Sequence, residues 1–349
     1  MLRDKESNRI QLVDEPNGHM LILGSSGQGK TYFCCRELEK RIWRKHRVIV
    51  FDFSGSYRDY ELVKNQMEES EKEIQTLNPY ERPWYFSVTE DNEKRLCKNI
   101  VDTLISVLKI RSYPQKKFLS RAVDESIKNC SVFNILALIK TLEMYLESDG
   151  EKKEDMKDVE KLLSRFVPYE EIDKIYISKR NKKERESRFP VTIIQLSDFP
   201  EQQRQFLTEF LLTIIWKEVL SNGWSPYNLI LLDEVQHLSM KSGSALRGFL
   251  QEGRKFGVSV MLTTQFMSCY KRDEQNLLLQ AAYVLFFKVA LKETVFCAKL
   301  ISGEEWKEWK KILCNLEIGE GVLLGKYRIN GNNRICNYPV VCQVLKKNL

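Results

Sequence analysis

A chain of 349 residues exceeds a usual single core yet barely reaches two, so one core domain with an insertion is expected. Nine cysteines without a C-x-x-C pair argue against a disulfide framework or a zinc site. The charged start MLRDKESNR and the lack of an apolar run near the ~20 residues of a membrane span predict a cytoplasmic chain with no signal peptide and no intrinsic membrane segment. The net charge of +7 is compatible with a polyanionic partner without selecting one.

The first strong element is the apolar run HMLILG at 19–24, which passes directly into GSSGQGKT, Gly24 to Thr31, and then into the helix-like YFCCRELEKRIW. Glycines at 24, 27 and 29 let backbone amides turn inward around phosphate oxygens, and the following helix adds its positive N-terminal end. Lys30 would bridge the outer phosphates and the Thr31 hydroxyl would ligate magnesium. The nucleotide-binding set is therefore Gly24, Ser25, Ser26, Gly27, Gln28, Gly29, Lys30, Thr31 and Tyr32, and the cofactors are ATP and Mg2+. VIVFDF at 48–53 follows as a second buried strand.

From there to Val191 the pattern turns helical, with KRLCKNIVDTLISVLKI, KFLSRAVDESIKNC and VFNILALIKTLEMYLES, and reads as an inserted helical subdomain. Its end, from about Asp149 to Arg188, is dense in charge. KRNKKERESR at 179–188 has six basic and two acidic side chains and reads as a surface or mobile segment; without interleaved aromatics, a solvated loop serves as well as a DNA contact. The domain division expected is 1–54 and 191–349 for the two parts of the core, with 55–190 as the insertion.

Strand-like runs return at VTIIQL 191–196, LILLDE 229–234, VSVMLTTQ 258–265 and AAYVLFFKV 281–289, separated by helical patterns at 202–220 and 244–256. This alternation predicts a doubly wound, mainly parallel α/β sheet with ligands at the strand C-termini. LILLDE has the form of a Walker B strand. Asp233 would hold magnesium through water, and Glu234 would act as general base toward the attacking water. The alternative, two carboxylates that merely end a strand, is weak beside an intact phosphate-binding loop. Gln265, at the end of TTQ, falls level with Glu234, where its amide would sense the γ-phosphate or orient the water; it could also simply cap the strand. GVLLGKYRI and ICNYPVVCQVL read as two short strands in a closing hairpin at the sheet edge.

Additional strands between the phosphate-loop strand and the Walker B strand resemble ASCE-type motor ATPases. The strings GSSGQGKT, FDFSGSY, LLDE and EGRKFGVSVMLTTQ resemble the HerA/FtsK superfamily over about His19 to Val344. That resemblance implies an ATP-hydrolysing ring, a hexamer, that acts on double-stranded DNA with a protein partner such as a nuclease or defence effector. It marks Arg254 as an arginine finger supplied to the neighbouring subunit. A helix-terminal cation answering the macrodipole is the other reading of Arg254, open equally to Lys255. Asp52 and Tyr57 match the family's aspartate and aromatic, while Ser56 replaces the usual acidic residue. The short stretch before the first strand is unlike HerA proper, whose N-terminal β-barrel the resemblance would require, so a minimal member is expected. Lys271 and Arg272 are candidate grips on DNA phosphates. A type IV secretion or conjugation-like ATPase acting on protein or membrane complexes, and a nucleotide-dependent scaffold for an effector enzyme, are the alternatives. A small-molecule kinase fits poorly, because an acceptor would compete with water activated by Glu234.

Overall fold

The apolar runs become strands because helices cover the sheet on both faces, leaving no solvent side to favour polar alternation. The computed structural model describes residues 2–14, 18–57, 74–88, 92–147, 153–179 and 190–345. Its strands are β1 Leu2–Asp4, β2 Arg9–Leu12, β3 Met20–Leu23, β4 Val48–Asp52, β5 Ile74–Leu77, β6 Trp84–Val88, β7 Val132–Phe133, β8 Ile175–Lys179, β9 Val191–Gln195, β10 Leu229–Leu232, β11 Ser259–Thr264, β12 Tyr283–Phe287, β13 Glu320–Leu324, β14 Tyr327–Ile329 and β15 Val340–Val344. Its α-helices are α1 Lys30–Trp43, α2 Glu93–Val107, α3 Tyr113–Cys130, α4 Ile135–Glu147, α5 Lys153–Phe166, α6 Glu201–Asn222, α7 Ala245–Glu252, α8 Arg272–Leu278, α9 Leu291–Ile301 and α10 Trp306–Asn315.

Twelve strands form one sheet in the order β14-β2-β1-β15-β13-β12-β3-β11-β10-β4-β9-β5. The half from β12 to β5 is parallel, and the wing from β13 to β14 is antiparallel. β11 lies between β3 and β10, the ordering that the resemblance to ASCE-type motors implies. Strand alternation divides the core. Leu21, Leu23, Ile49, Phe51, Ile230 and Leu232 join the cluster that includes α6 and α7, while Ile22, Val48, Val50, Leu229 and Leu231 join Phe33, Cys34 and Leu38 of α1.

α6 is apolar on most sides, as expected of a helix buried between two layers. It packs on the sheet and receives the insertion, whose Tyr169 ring stacks on Phe206 at 4.0 Å. Gln203 also donates from α6 to the Pro168 carbonyl at 3.1 Å and to the Glu171 carboxylate at 3.0 Å.

Three features depart from the sequence expectations. The stretch 55–190 contains strands as well as helices: β5 extends the main sheet beside β9, and β6, β8 and β7 form a small sheet. β5 is half-exposed and lacks an apolar run; it is a strand because the edge of β9 offers an open ladder. The charge-dense segment after Asp149 includes α5, which buries Val159, Leu162 and Phe166 on one stripe. Finally, the chain before His19 supplies β1 and β2, so the closing element is a five-stranded wing built from both ends rather than a hairpin. The basic run at 180–188 lies outside the described residues.

Candidate functional site

The phosphate-loop pattern lies where the sequence puts it, between β3 and α1. Gly24 is required by close approach: a Cβ there would lie 2.7 Å from the Cβ of Phe287 on neighbouring β12. Gly29, at φ +105°, combines left-handed backbone with a hypothetical Cβ contact of 3.3 Å to the Gly319 Cα. The loop is anchored by Gly24 N to the Thr264 carbonyl at 3.2 Å, Ser25 N to the Lys288 carbonyl at 2.9 Å, and Gly319 N to the Gln28 carbonyl at 3.1 Å. The first amides of a helix have no intrahelical acceptor. Phe33 N closes the first bond, on the Gly29 carbonyl at 2.9 Å.

Lys30 is buried, and its ammonium donates to the carbonyls of Gly24 at 2.7 Å and Ser25 at 3.1 Å. Burial lowers its pKa, while the charges of Glu234 and Asp233 oppose that fall. Tyr32, expected to touch nucleotide, donates its hydroxyl to the Leu345 carbonyl at 3.0 Å and thereby ties α1 to the end of β15.

At the end of β10 the two carboxylates take different partners. Asp233 is buried, with one oxygen accepting from Thr263 Oγ1 at 2.6 Å and the other from Ser54 Oγ. Burial raises its pKa; the two hydroxyl bonds oppose that rise. Glu234 is half-buried and turned into the left-handed region at φ +52°, ψ +50°, a conformation costing a non-glycine residue about 1–2 kcal/mol. Its Oε1 accepts from Gln265 Nε2 at 2.9 Å, and its Oε2 accepts from Gln236. Gln265 thus lies level with Glu234 and donates directly to its carboxylate.

The residues that complete this network escaped the sequence reading. Thr263 donates to Asp233 and accepts from Glu234 N at 3.0 Å, fixing both carboxylate residues from β11. Gln236 also accepts from Thr264 Oγ1 at 2.9 Å. Ser54 is held by a clamp on Phe53. The His237 ring stacks on Phe53 at 4.9 Å, and Arg204 lies 4.9 Å from the ring while donating to the Phe53 carbonyl at 2.9 Å. The motif position Asp52 is fully buried beneath the site, accepts from Tyr57 N at 3.2 Å, and is pushed up to about 7 by burial and then by Asp233.

Arg254 is not at this edge. It sits in the 3-10 turn Gly253–Phe256, before β11 begins. Because Thr264 at the far end of β11 pairs with Leu23 beside the loop, Arg254 lies at least about 17 Å along the sheet from the chain's own phosphate loop. Its side chain is exposed, whereas Lys255 pairs with Glu252 at 3.0 Å. Lys271 and Arg272 are exposed at the start of α8, beyond the C-terminal end of β11 and on the same edge as the phosphate loop.

Residues 13–215 match the family described as the central domain of helicase HerA. The chain is 23% identical over 325 residues to the probable helicase MJ1565 of Methanocaldococcus jannaschii, covering 88% of this chain and 60% of that protein. It is 21% identical over 323 residues to the DNA double-strand break repair helicase HerA of Saccharolobus solfataricus, covering 88% and 62%. It thus spans about three fifths of the length of these curated relatives. VirB4 of Thermoanaerobacter pseudethanolicus superposes with a TM-score of 0.65 at 15% identity, over 99% of this chain and 96% of that one. The plasmid coupling protein TrwB, solved with ADP and Mg2+, gives 0.58 at 16% identity over 93% and 86%. These likenesses establish a shared α/β fold with a large, mainly parallel sheet.

Proposed function

The chain belongs to the HerA central-domain family, and from that premise we propose that it is an ATP-hydrolysing ring motor of HerA/FtsK type that translocates double-stranded DNA with a protein partner, such as a nuclease or defence effector. The observation that carries this reading is the convergence of Lys30, Asp233, Glu234 and Gln265 at the C-terminal ends of β3, β10 and β11.

The residues fit MgATP. The first turn of α1 offers amides without intrahelical acceptors beside a buried ammonium, and the Asp233 carboxylate is oriented by Ser54 and Thr263. Thr31 and Asp233 would hold the magnesium, which when bound neutralises phosphate charge. Lys30 exchanges its loop carbonyls for phosphate oxygens. Glu234 takes the proton of the attacking water, and Gln265 orients that water or senses the γ-phosphate while fixing the carboxylate. Arg254 supplies the guanidinium to the site of a neighbouring subunit, since it cannot reach its own; this requires an oligomer, and the resemblance to HerA/FtsK motors implies a hexameric ring. Lys271 and Arg272 grip DNA phosphates without reading sequence.

No helix among the described residues is long and apolar enough to cross a membrane. Steady-state ATP hydrolysis by the purified chain, with and without linear double-stranded DNA at low and moderate salt, tests the proposal. Salt-sensitive stimulation by DNA is expected. Hydrolysis indifferent to DNA but stimulated by a protein would favour a secretion-type or scaffold role instead.

A further inference from the structure

α1 carries the phosphate loop at one end; at its other end, about 20 Å along the helix, lies a cavity of about 500 Å3. One wall is the N-terminal edge of the sheet at Met20, Ser259 and Tyr283, and the others are the last turns of α1 and the strands β2 and β14. Five cations line it: Lys40, Arg41 and Arg44 in and just after α1, Arg9 on β2, and Arg328 on β14. Two carboxylates line it as well, and both are engaged, Glu37 by Lys40 and Asp14 by Arg44 at 3.0 Å. Among the described residues no carboxylate pairs with Arg9, Arg41 or Arg328. Arg41 contacts the His46 ring at 3.3 Å, and burial lowers its pKa, a fall that the charges of Glu37 and Asp14 oppose and that of Arg44 adds to. The Nε of Arg328 is buried without a hydrogen-bond partner among the described residues.

Basic side chains in the last turn of a helix ordinarily answer its macrodipole. That accounts for Lys40 and Arg41 but not for Arg9 and Arg328, which arrive on strands from the two ends of the chain. Like charges gathered in a half-enclosed cavity repel more strongly than on an open surface, and an anion would relieve that cost. The volume suits a small ligand, whereas a duplex backbone needs a groove running along the surface. The guanidinium fork matches phosphate oxygens in pairs. We propose that this cavity is a second anion site, separate from the phosphate loop, which binds a compact pyrophosphate-like group, free or carried on a nucleotide, through Arg41 and Arg328 with Arg9 at the rim.

Calorimetric titration with inorganic pyrophosphate, and separately with ADP, tests this on the full chain. Two pyrophosphate sites are expected in the unaltered protein, one after Lys30→Ala, and one after the double change Arg41→Gln and Arg328→Gln, whose cavity affinity should fall about tenfold or more. Tighter binding of ADP than of pyrophosphate at the site left by Lys30→Ala would identify a nucleotide as the ligand; equal or weaker binding would identify the free anion. Should the double variant fail to fold, Arg9→Gln at its exposed rim position is expected to weaken the same site about threefold. Unchanged stoichiometry and affinity in the cavity variants would overturn the proposal, even if Lys30→Ala behaves as expected. Loss in these variants of duplex DNA binding alone, with no pyrophosphate site, would also overturn it.

Discussion

The two edges of the parallel sheet are built in opposite ways. At the C-terminal edge the two adjacent carboxylates are held: Asp233 by Ser54 and Thr263, Glu234 by Gln236 and Gln265. At the N-terminal edge Arg254 projects into solvent from a short turn, with its neighbour Lys255 already spoken for by Glu252. One edge is held by hydrogen bonds, and the other presents an exposed charge. With a separation of at least about 17 Å, the proposed role of Arg254 requires two copies of the chain to meet.

The comparison breaks most visibly at the C-terminal edge. Lys30→Ala should abolish nucleotide binding at the phosphate loop and with it turnover, and Glu234→Gln should bind ATP normally yet lose about 100-fold or more in turnover. Undiminished turnover in either would show that this edge does not do the chemistry. A smaller effect sharpens the account of what holds it. Ser54→Ala leaves Asp233 with Thr263 as its hydroxyl partner; turnover should fall about tenfold at saturating MgATP, with a raised magnesium requirement. A magnesium dependence identical to that of the unaltered chain would make the Ser54 contact incidental.

An effect on stability, and not on turnover, concerns the N-terminal edge alone. His19 is buried at the start of β3, where its Nδ1 accepts from Val260 N at 3.0 Å, and burial pushes its pKa down to about 4. A depressed pKa means that the fold favours the neutral ring. The corresponding stability is therefore complete above the unfolded value near 6.5 and is lost as pH falls through about 4, amounting to about 3 kcal/mol. Unfolding of the nucleotide-free chain in urea at pH 7 and pH 4.5 should show this loss, and His19→Asn, which cannot titrate, should flatten it. An equal acid loss in both proteins would assign the effect to other groups.

Much of the parallel half is legible in the sequence because strands buried on both faces read as unbroken apolar runs, and the phosphate loop and Walker B carboxylates end two of them. The polar contacts between strands are not legible. FDFSGSY and TTQ stand out in the sequence, but which of their hydroxyls faces Asp233 depends on the lateral order β3-β11-β10-β4, which brings Thr263 and Ser54 to the carboxylate from either side. Short edge strands such as β1, β2 and β5 have too few apolar residues to announce themselves, and they form because a neighbouring ladder is open. α5 was readable: Met156, Val159, Leu162 and Phe166 recur at helical spacing, hidden only by the charge around them. The clamp of Arg204 and His237 on Phe53 joins residues from three distant segments and has no local signature.

Mixing Arg254→Ala subunits with Glu234→Gln subunits tests the pairing of the two edges most directly. Each variant alone should be nearly inactive. In the mixture, an intact Glu234 from one subunit meets an intact Arg254 from the other, so ATP hydrolysis should recover to a substantial fraction of the unaltered rate. Mixtures that stay as inactive as their components would contradict the account and return Arg254 to the role of a helix-terminal cation.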